Sequence, residues 1–231
     1  MTGIARVLRQ SAIAALAVAA LCTNASANHS LKDQITIGPG GGNGAVNAFF
    51  DASSSDGSRA IFETSESLVP ADTDSSFDIY ERVGNTTNLL STGPSGGNAP
   101  EDAFFDAAST DGTHVFFDTA ESLVPADTDN SIDVYEYSGG TVTLVSTGPT
   151  GGNGNFDVFF DGISADGSHV YFETDEKLTS GDTDNTTDIY DHSGGTTTLV
   201  STGPTAGGGG GDFPVFWAAS NDGSHVFFDT D

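Results

Sequence analysis

One stretch of about 55 residues is written three times in this chain and a fourth time in part. Ser-Thr-Gly-Pro begins at Ser91, Ser146 and Ser201, and an Asp-Gly turn recurs at Asp56, Asp111, Asp166 and Asp222. Every step is 55 residues except the last Asp-Gly step of 56, and the extra residue fits a longer glycine tract at Gly207 to Gly211. A register kept this well means one structural unit copied in tandem.

Each unit reads as four short strands. In the second copy they are Ala103 to Ser109, His114 to Thr119, Ile132 to Tyr137 and Thr141 to Thr147, rich in β-branched and aromatic residues. Turn chemistry bounds them: Thr110-Asp111-Gly112, the polar loop Leu123 to Asn130, and Ser138-Gly139-Gly140. Runs such as Val115-Phe116-Phe117 and Val170-Tyr171-Phe172 are apolar on both strand faces, as expected of a sheet covered on each side by others of its kind. The fold class is therefore all-β, a β-propeller of four-stranded blades; a sandwich would alternate more and would not repeat. The blades are 46–93, 101–148 and 156–203, with a partial fourth at 213–231.

The wording of the repeat resembles a known family. Asp-Gly before an aromatic strand, a polar loop ending in Asp-Ile-Tyr or Asp-Val-Tyr, then Gly-Gly and a strand closing in Leu-Val-Ser is similar to the WD40-like (PD40) propeller repeat of TolB-type proteins. Ser164-Ala165-Asp166-Gly167 matches that family's Ser-Pro-Asp-Gly turn with Ala in place of Pro. The resemblance covers nearly all of 46–231, implies the propeller fold, and says little about function, because such propellers serve many roles. Rings close with about four to eight blades, so three and a half are expected to belong to a truncated chain. Ile35-Thr36-Ile37-Gly38-Pro39, within an N-terminal segment 28–45, aligns with Leu199 to Pro204 and would be a ring-closing strand for the last blade. The alternative is a short open solenoid with an exposed end.

Residues 1–27 read as a signal peptide. Arg6 and Arg9 precede the apolar run Ser11 to Leu21, and Ala25-Ser26-Ala27 offers the small residues of a cleavage site, so cleavage is expected after Ala27. The run is too short to span a bilayer, and Leu21 before Cys22 disfavours lipidation. The expected product is exported, periplasmic or secreted, and leaves the one cysteine behind, so packing or metal must hold it together. Its partners are constrained by 33 Asp plus Glu against 6 Lys plus Arg, a net charge of −27, which repels nucleic acid and anionic membrane surfaces. With 16 Phe and 36% apolar residues the chain is nevertheless expected to fold.

Each full copy carries Asp-Thr-Asp-x-x-x-Asp: Asp72, Asp74 and Asp78; Asp127, Asp129 and Asp133; Asp182, Asp184 and Asp188. With Ser76, Ser131 or Thr186 at the fifth position, these oxygens resemble part of a calcium loop, although the glycine at position 6 and the acid at 9 or 12 are absent. The other reading is an Asx-type turn before the third strand. His114, His169 and His225 share one repeat position, held by Arg59 in the first copy, and repetition there favours a structural role over a catalytic one; His192 is expected to be exposed. Asp51, Asp106 and Asp161 follow Phe-Phe in the first strand, nearest the axis, where Trp217 replaces the acid in the fourth copy. They are expected to line a channel or to be hydrogen-bonded caps. The glycine-rich linkers lack the Lys and the helix of a phosphate loop and read as connections between blades, on the same face as the Asp-Thr-Asp loops.

No unique reactive cluster stands out. The expected function is a non-catalytic exported propeller that binds a protein or glycan through its acidic loop face, with calcium as a structural ion. The alternative is a secreted hydrolase or lyase acting on polysaccharide through carboxylates such as Asp106 and Asp161.

Overall fold

The computed structural model describes residues 34–202 and 213–230; the leader, Cys22 and the Gly207 to Gly211 tract lie outside them. All fourteen elements among the described residues are strands. The first sheet runs β1 (Ala48–Ser53), β2 (Arg59–Thr64), β3 (Asp78–Val83) and β4 (Thr86–Leu89), antiparallel and in chain order. The second repeats it with β5 (Ala103–Ala108), β6 (His114–Thr119), β7 (Asp133–Ser138) and β8 (Thr141–Leu144), and the third with β9 (Val158–Ile163), β10 (His169–Thr174), β11 (Asp188–Ser193) and β12 (Thr196–Leu199). β13 (Pro214–Ala219) and β14 (Val226–Thr230) form a two-stranded fourth sheet. The sheets pack side by side in sequence, with β1, β5, β9 and β13 each against the next, which is the arrangement of β-propeller blades.

Alternation along the second strand explains the two-sided apolar runs. Phe117 points back to the first blade, into a core with Ile61, Ile79, Leu90, Val115 and Tyr135, whereas Phe116 points forward to Val158, Val170, Phe172 and Tyr190 of the third. Each of these rings is fully buried, worth about 1.5–3 kcal/mol apiece relative to exposure. At the next interface Tyr171 stacks on Phe216 at 5.6 Å and its hydroxyl donates to the Gly223 carbonyl at 2.8 Å. A row of backbone hydrogen bonds crosses all three interfaces: Ser55 N–H to Thr110 O, Thr110 N–H to Ala165 O, and Ala165 N–H to Asn221 O, each 2.8 Å.

Two turns set the register. The β3–β4 type hairpins turn through Gly84, Gly139-Gly140 and Gly194-Gly195, whose φ of +54° to +85° suits the tight two-residue loop. In the β1–β2 type turn, Asp56 Oδ1 accepts from Ser54 Oγ at 2.7 Å and Ser58 N–H at 2.9 Å, and Asp111, Asp166 and Asp222 do the same. In the second, third and fourth copies the glycine of that turn is constrained twice, whereas Gly57 of the first has nothing within 4 Å. Gly167 has φ +75°, and a Cβ on it would sit 2.8 Å from the His114 Cβ of the preceding blade; Gly112 lies likewise under Arg59 and Gly223 under His169.

Ile35 to Pro39 contains no strand. The segment takes the part that the linkers play between later blades: Ile35 packs on Phe62, Leu68, Tyr80 and Leu89, Gly40 N–H donates to Leu68 O at 2.8 Å, and Ile37 O accepts from Arg82 Nη1 at 3.3 Å. Ser95 N–H to Leu123 O and Thr150 N–H to Leu178 O are the equivalent bonds at 3.0 and 3.2 Å.

Gly167→Ala combines left-handed strain with a steric clash at a blade interface, while Gly194→Ala, at φ +58° with nothing within 4 Å, carries the strain alone. Urea unfolding is expected to show Gly167→Ala destabilised by about 2 kcal/mol or more and Gly194→Ala by about 1 kcal/mol. Equal losses would mean that the interface does not press on this turn.

Candidate metal centres and axial carboxylates

The loop between second and third strands folds on its own aspartates. Asp72 Oδ1 accepts from Asp74 N–H at 3.3 Å and Asp74 Oδ1 from Ser76 N–H at 2.6 Å, the Asx geometry expected of this sequence. The other two copies repeat it through Asp127, Asp129 and Ser131 and through Asp182, Asp184 and Thr186. A buried tyrosine from the third strand fixes each loop from below. Tyr80 and Tyr135 donate their hydroxyls to Asp72 and Asp127, and Tyr190 donates to Asp182 Oδ2 at 2.6 Å. Burial, and then the adjacent carboxylate, push these phenols well above their ordinary range, so they act as donors.

The third aspartate opens the strand and is left half-satisfied. Asp78, Asp133 and Asp188 are 3–4% exposed. One oxygen of each accepts from Ser91, Ser146 or Ser201 at 2.5 Å; Oδ2 of each is buried without a hydrogen-bond partner. Burial, helped by the two neighbouring aspartates, lifts the carboxyls to about 7, 7 and 6, against the lowering pull of the serine. In every copy the three acids offer oxygens within 4.8 Å of one another, so each cluster can hold a metal ion. Three carboxylate oxygens this close suit a hard cation, which would also partner the orphaned Oδ2. Turn and cation readings therefore describe the same loop, because the Asx bonds leave that oxygen over.

The linkers share this face, as expected. Thr73 N–H donates to Asn98 Oδ1 and Thr128 N–H to Asn153 Oδ1, both at 2.6 Å, and Phe77 N–H to Asp102 Oδ1 at 2.8 Å. Their backbone donors are taken by an acid that the repeat alone did not single out. Glu66 Oε1 accepts from Gly42, Asn43 and Gly44 N–H at 2.7, 3.1 and 2.8 Å; Glu121 clamps Gly97, Asn98 and Ala99, and Glu176 holds Asn153. A protein carboxylate thus fills each nest where a phosphate would sit. The signal was present, since glutamate recurs at 66, 121 and 176.

Asp51, Asp106 and Asp161 sit on β-bulges of the first strands, and Trp217, 65% exposed, takes the equivalent place in β13. Each of the three carboxyls has a buried Oδ2 without a partner. Burial raises them to about 7, 8 and 8, reinforced by Glu63, by Asp118 with Glu63, and by Glu173. Of the histidines, His114 and His169 pair with Glu136 and Asp191, the latter at 2.9 Å, while covering the next blade's glycine. His192 differs from expectation. It is half-buried, with Nδ1 2.9 Å from Thr197 Oγ1, because its strand turns it toward the preceding linker, whose Thr147 carbonyl Thr197 also binds.

No family model and no curated protein matches this chain. Among solved structures, one from a study of two prolyl endopeptidases is 17% identical with a TM-score of 0.45, covering 80% of this chain and 26% of that one. A fucose lectin from Kordia zhangzhouensis, solved with methyl-fucoside, is 13% identical with a TM-score of 0.32, covering 67% of this chain and 98% of its own. The chain thus spans about a quarter of the endopeptidase's length.

The raised carboxyls fix a sign for pH dependence. Between pH about 4 and about 8 the folded state holds protons on Asp51, Asp78, Asp106, Asp133 and Asp161 that the unfolded chain has released, so stability falls as pH rises through that window. The turn aspartates Asp56, Asp111 and Asp166, held at about 2 by serine or threonine hydroxyls and backbone N–H groups, work the other way, and their contribution is lost only below pH about 4. The melting temperature in chelator is expected to rise from pH 8 to pH 5, and Asp106→Asn to flatten that rise. A melting temperature that falls steadily over this interval would contradict the assignment.

Proposed function

We propose that this chain is an exported, non-catalytic β-propeller module that binds a protein or glycan through its acidic loop face, with one calcium ion per complete blade holding that face in shape. The observation that carries the reading is the orphaned, buried Oδ2 of Asp78, Asp133 and Asp188, set at the start of the third strand in three blades and close to two further loop carboxylates. A divalent ion would neutralise each trio and tie the start of the third strand to its loop, stabilising the folded state by mass action. Export is supported by the leader sequence alone, and cleavage after Ala27 would leave Asn28 as the N-terminus.

A polysaccharide hydrolase is the second reading, favoured by axial carboxyls raised toward neutrality, as a general acid requires. Their identical placement on bulges in successive copies supports the structural role instead. Turnover lost in Asp106→Asn and Asp161→Asn would favour the enzyme.

Calcium titration by calorimetry is expected to give about three sites of roughly 10⁻⁴ to 10⁻³ M, affinity rising from pH 6 to pH 8 as the ion displaces the proton on Asp78, Asp133 and Asp188. Millimolar calcium is expected to raise the melting temperature, the chelator to reverse it, and Asp133→Asn to remove one site. Retention of envelope proteins or glycans on the immobilised module should follow calcium. No heat, no thermal shift and calcium-independent retention would refute the reading.

A further inference from the structure

The opposite face, where the Asp-Gly and Gly-Gly turns lie, carries a feature that the repeat does not share. A cleft of about 450 Å³ opens between the first and second blades, within the range of small-ligand pockets of about 300–1,000 Å³. Its walls are Arg59, Glu81, Thr86 and Asn88 from the first blade and Thr113 and Tyr137 from the second. Four of these differ at the next interface, and three of the four change chemistry, since Thr113 gives way only to Ser168. At the next interface Arg59, Asn88 and Tyr137 are replaced by His114, Thr143 and His192.

The polar floor is preorganised. Glu81, 3% exposed, accepts from Arg59 Nη1 through Oε1 and from Asn88 Nδ2 through Oε2 at 3.2 Å, so one buried carboxylate orients a guanidinium and an amide. Arg59 keeps further N–H groups and Asn88 keeps its carbonyl oxygen beyond those bonds. Thr113 donates its hydroxyl to Asp111 at 2.7 Å and so presents acceptor lone pairs. Tyr137, half-buried and packed against the core on one side, also lines the cleft and adds an aromatic side chain to it. Fixed planar donors and acceptors in one cleft with an aromatic ring are what a polyhydroxylated ring requires, with its hydroxyls to hydrogen-bond and its C–H groups to pack. The charges of Arg59 and Glu81 cancel locally, and the −27 field of the chain disfavours uronates and sulfated sugars.

We propose that this inter-blade cleft is a binding site for one neutral pyranose unit of a glycan, separate from the loop face and independent of calcium. Arg59, Glu81 and Asn88 read the hydroxyls, and Tyr137 stacks on the ring.

An array of neutral, uronate-bearing and sulfated glycans, probed with the folded protein in chelator, tests it. Binding is expected to be confined to neutral glycans, to fall at least about tenfold in Tyr137→Ala and in Asn88→Ala, and to recover substantially in Tyr137→Phe. Thr143→Ala, at the equivalent place on the next interface, and Asp133→Asn, on the loop face, are expected to leave it unchanged. Circular dichroism of each variant separates loss of site from loss of fold, and Asn88 lies on an edge strand where truncation spares the core. Silence on every neutral glycan, preference for the anionic ones, or retention at full strength in both alanine variants would overturn the proposal. Failure here with calcium binding intact leaves the loop-face reading standing, and calcium failure with glycan binding intact leaves this one.

Discussion

Each blade has two apolar faces and no means of covering either by itself. That constraint organises the molecule. Successive residues of the second strand, Phe116 and Phe117, serve different neighbours, so a change in one interface is passed along the same strand to the next. The turns obey the same demand: Gly112, Gly167 and Gly223 of the Asp-Gly turns are each roofed by a side chain from the blade before, and the backbone row from Ser55 to Asn221 ties the turns together edge to edge. Nearest-neighbour packing of this kind makes stability a sum of blade terms and interface terms.

Charge is fitted into this frame in two opposite ways. On the turns, aspartates meet backbone N–H groups and hydroxyls in water, and their carboxyls are held low. At the strand starts and on the bulges they are drawn under neighbouring blades, lose water, gain at most one partner and are pushed toward neutrality. A buried carboxylate with an orphaned oxygen costs stability unless it takes up a proton or a cation. The loop clusters, with three acids together, can hold a cation; the bulge acids are set singly on successive blades and are left to the proton.

The architecture was legible because repetition averages out local ambiguity. Strand boundaries predicted from the second copy agree with β5 to β8 to within a few residues, and Tyr80, Tyr135 and Tyr190 mark the third strand each time. What escaped the reading depends on contacts between copies. The bulge that turns Asp51 has no marker in composition, since Phe-Phe-Asp-Ala reads as plain strand. The Glu121 clamp spans 22 to 24 residues to a linker that the sequence reads only as a connection between blades. His192 looked like a turn residue because its neighbours are Ser193 and Gly194, yet it is paired within β11 on both sides, and its ring meets Thr197, which binds the preceding linker.

A repeat also tells where to look for something particular. Positions filled alike in every copy answer demands that every copy makes, and here these are turns, blade packing and the loop triads. A residue set that occurs at one interface alone is free of that explanation. Arg59 does the roofing that His114 and His169 do elsewhere, so packing over Gly112 does not call for a guanidinium. Nor does it call for an amide at Asn88 held by the same buried Glu81, when threonine serves at 143 and 198. The first interface therefore carries polar groups in excess of what the fold needs, arranged around a cleft, and that excess is the part of the molecule that its architecture leaves unexplained.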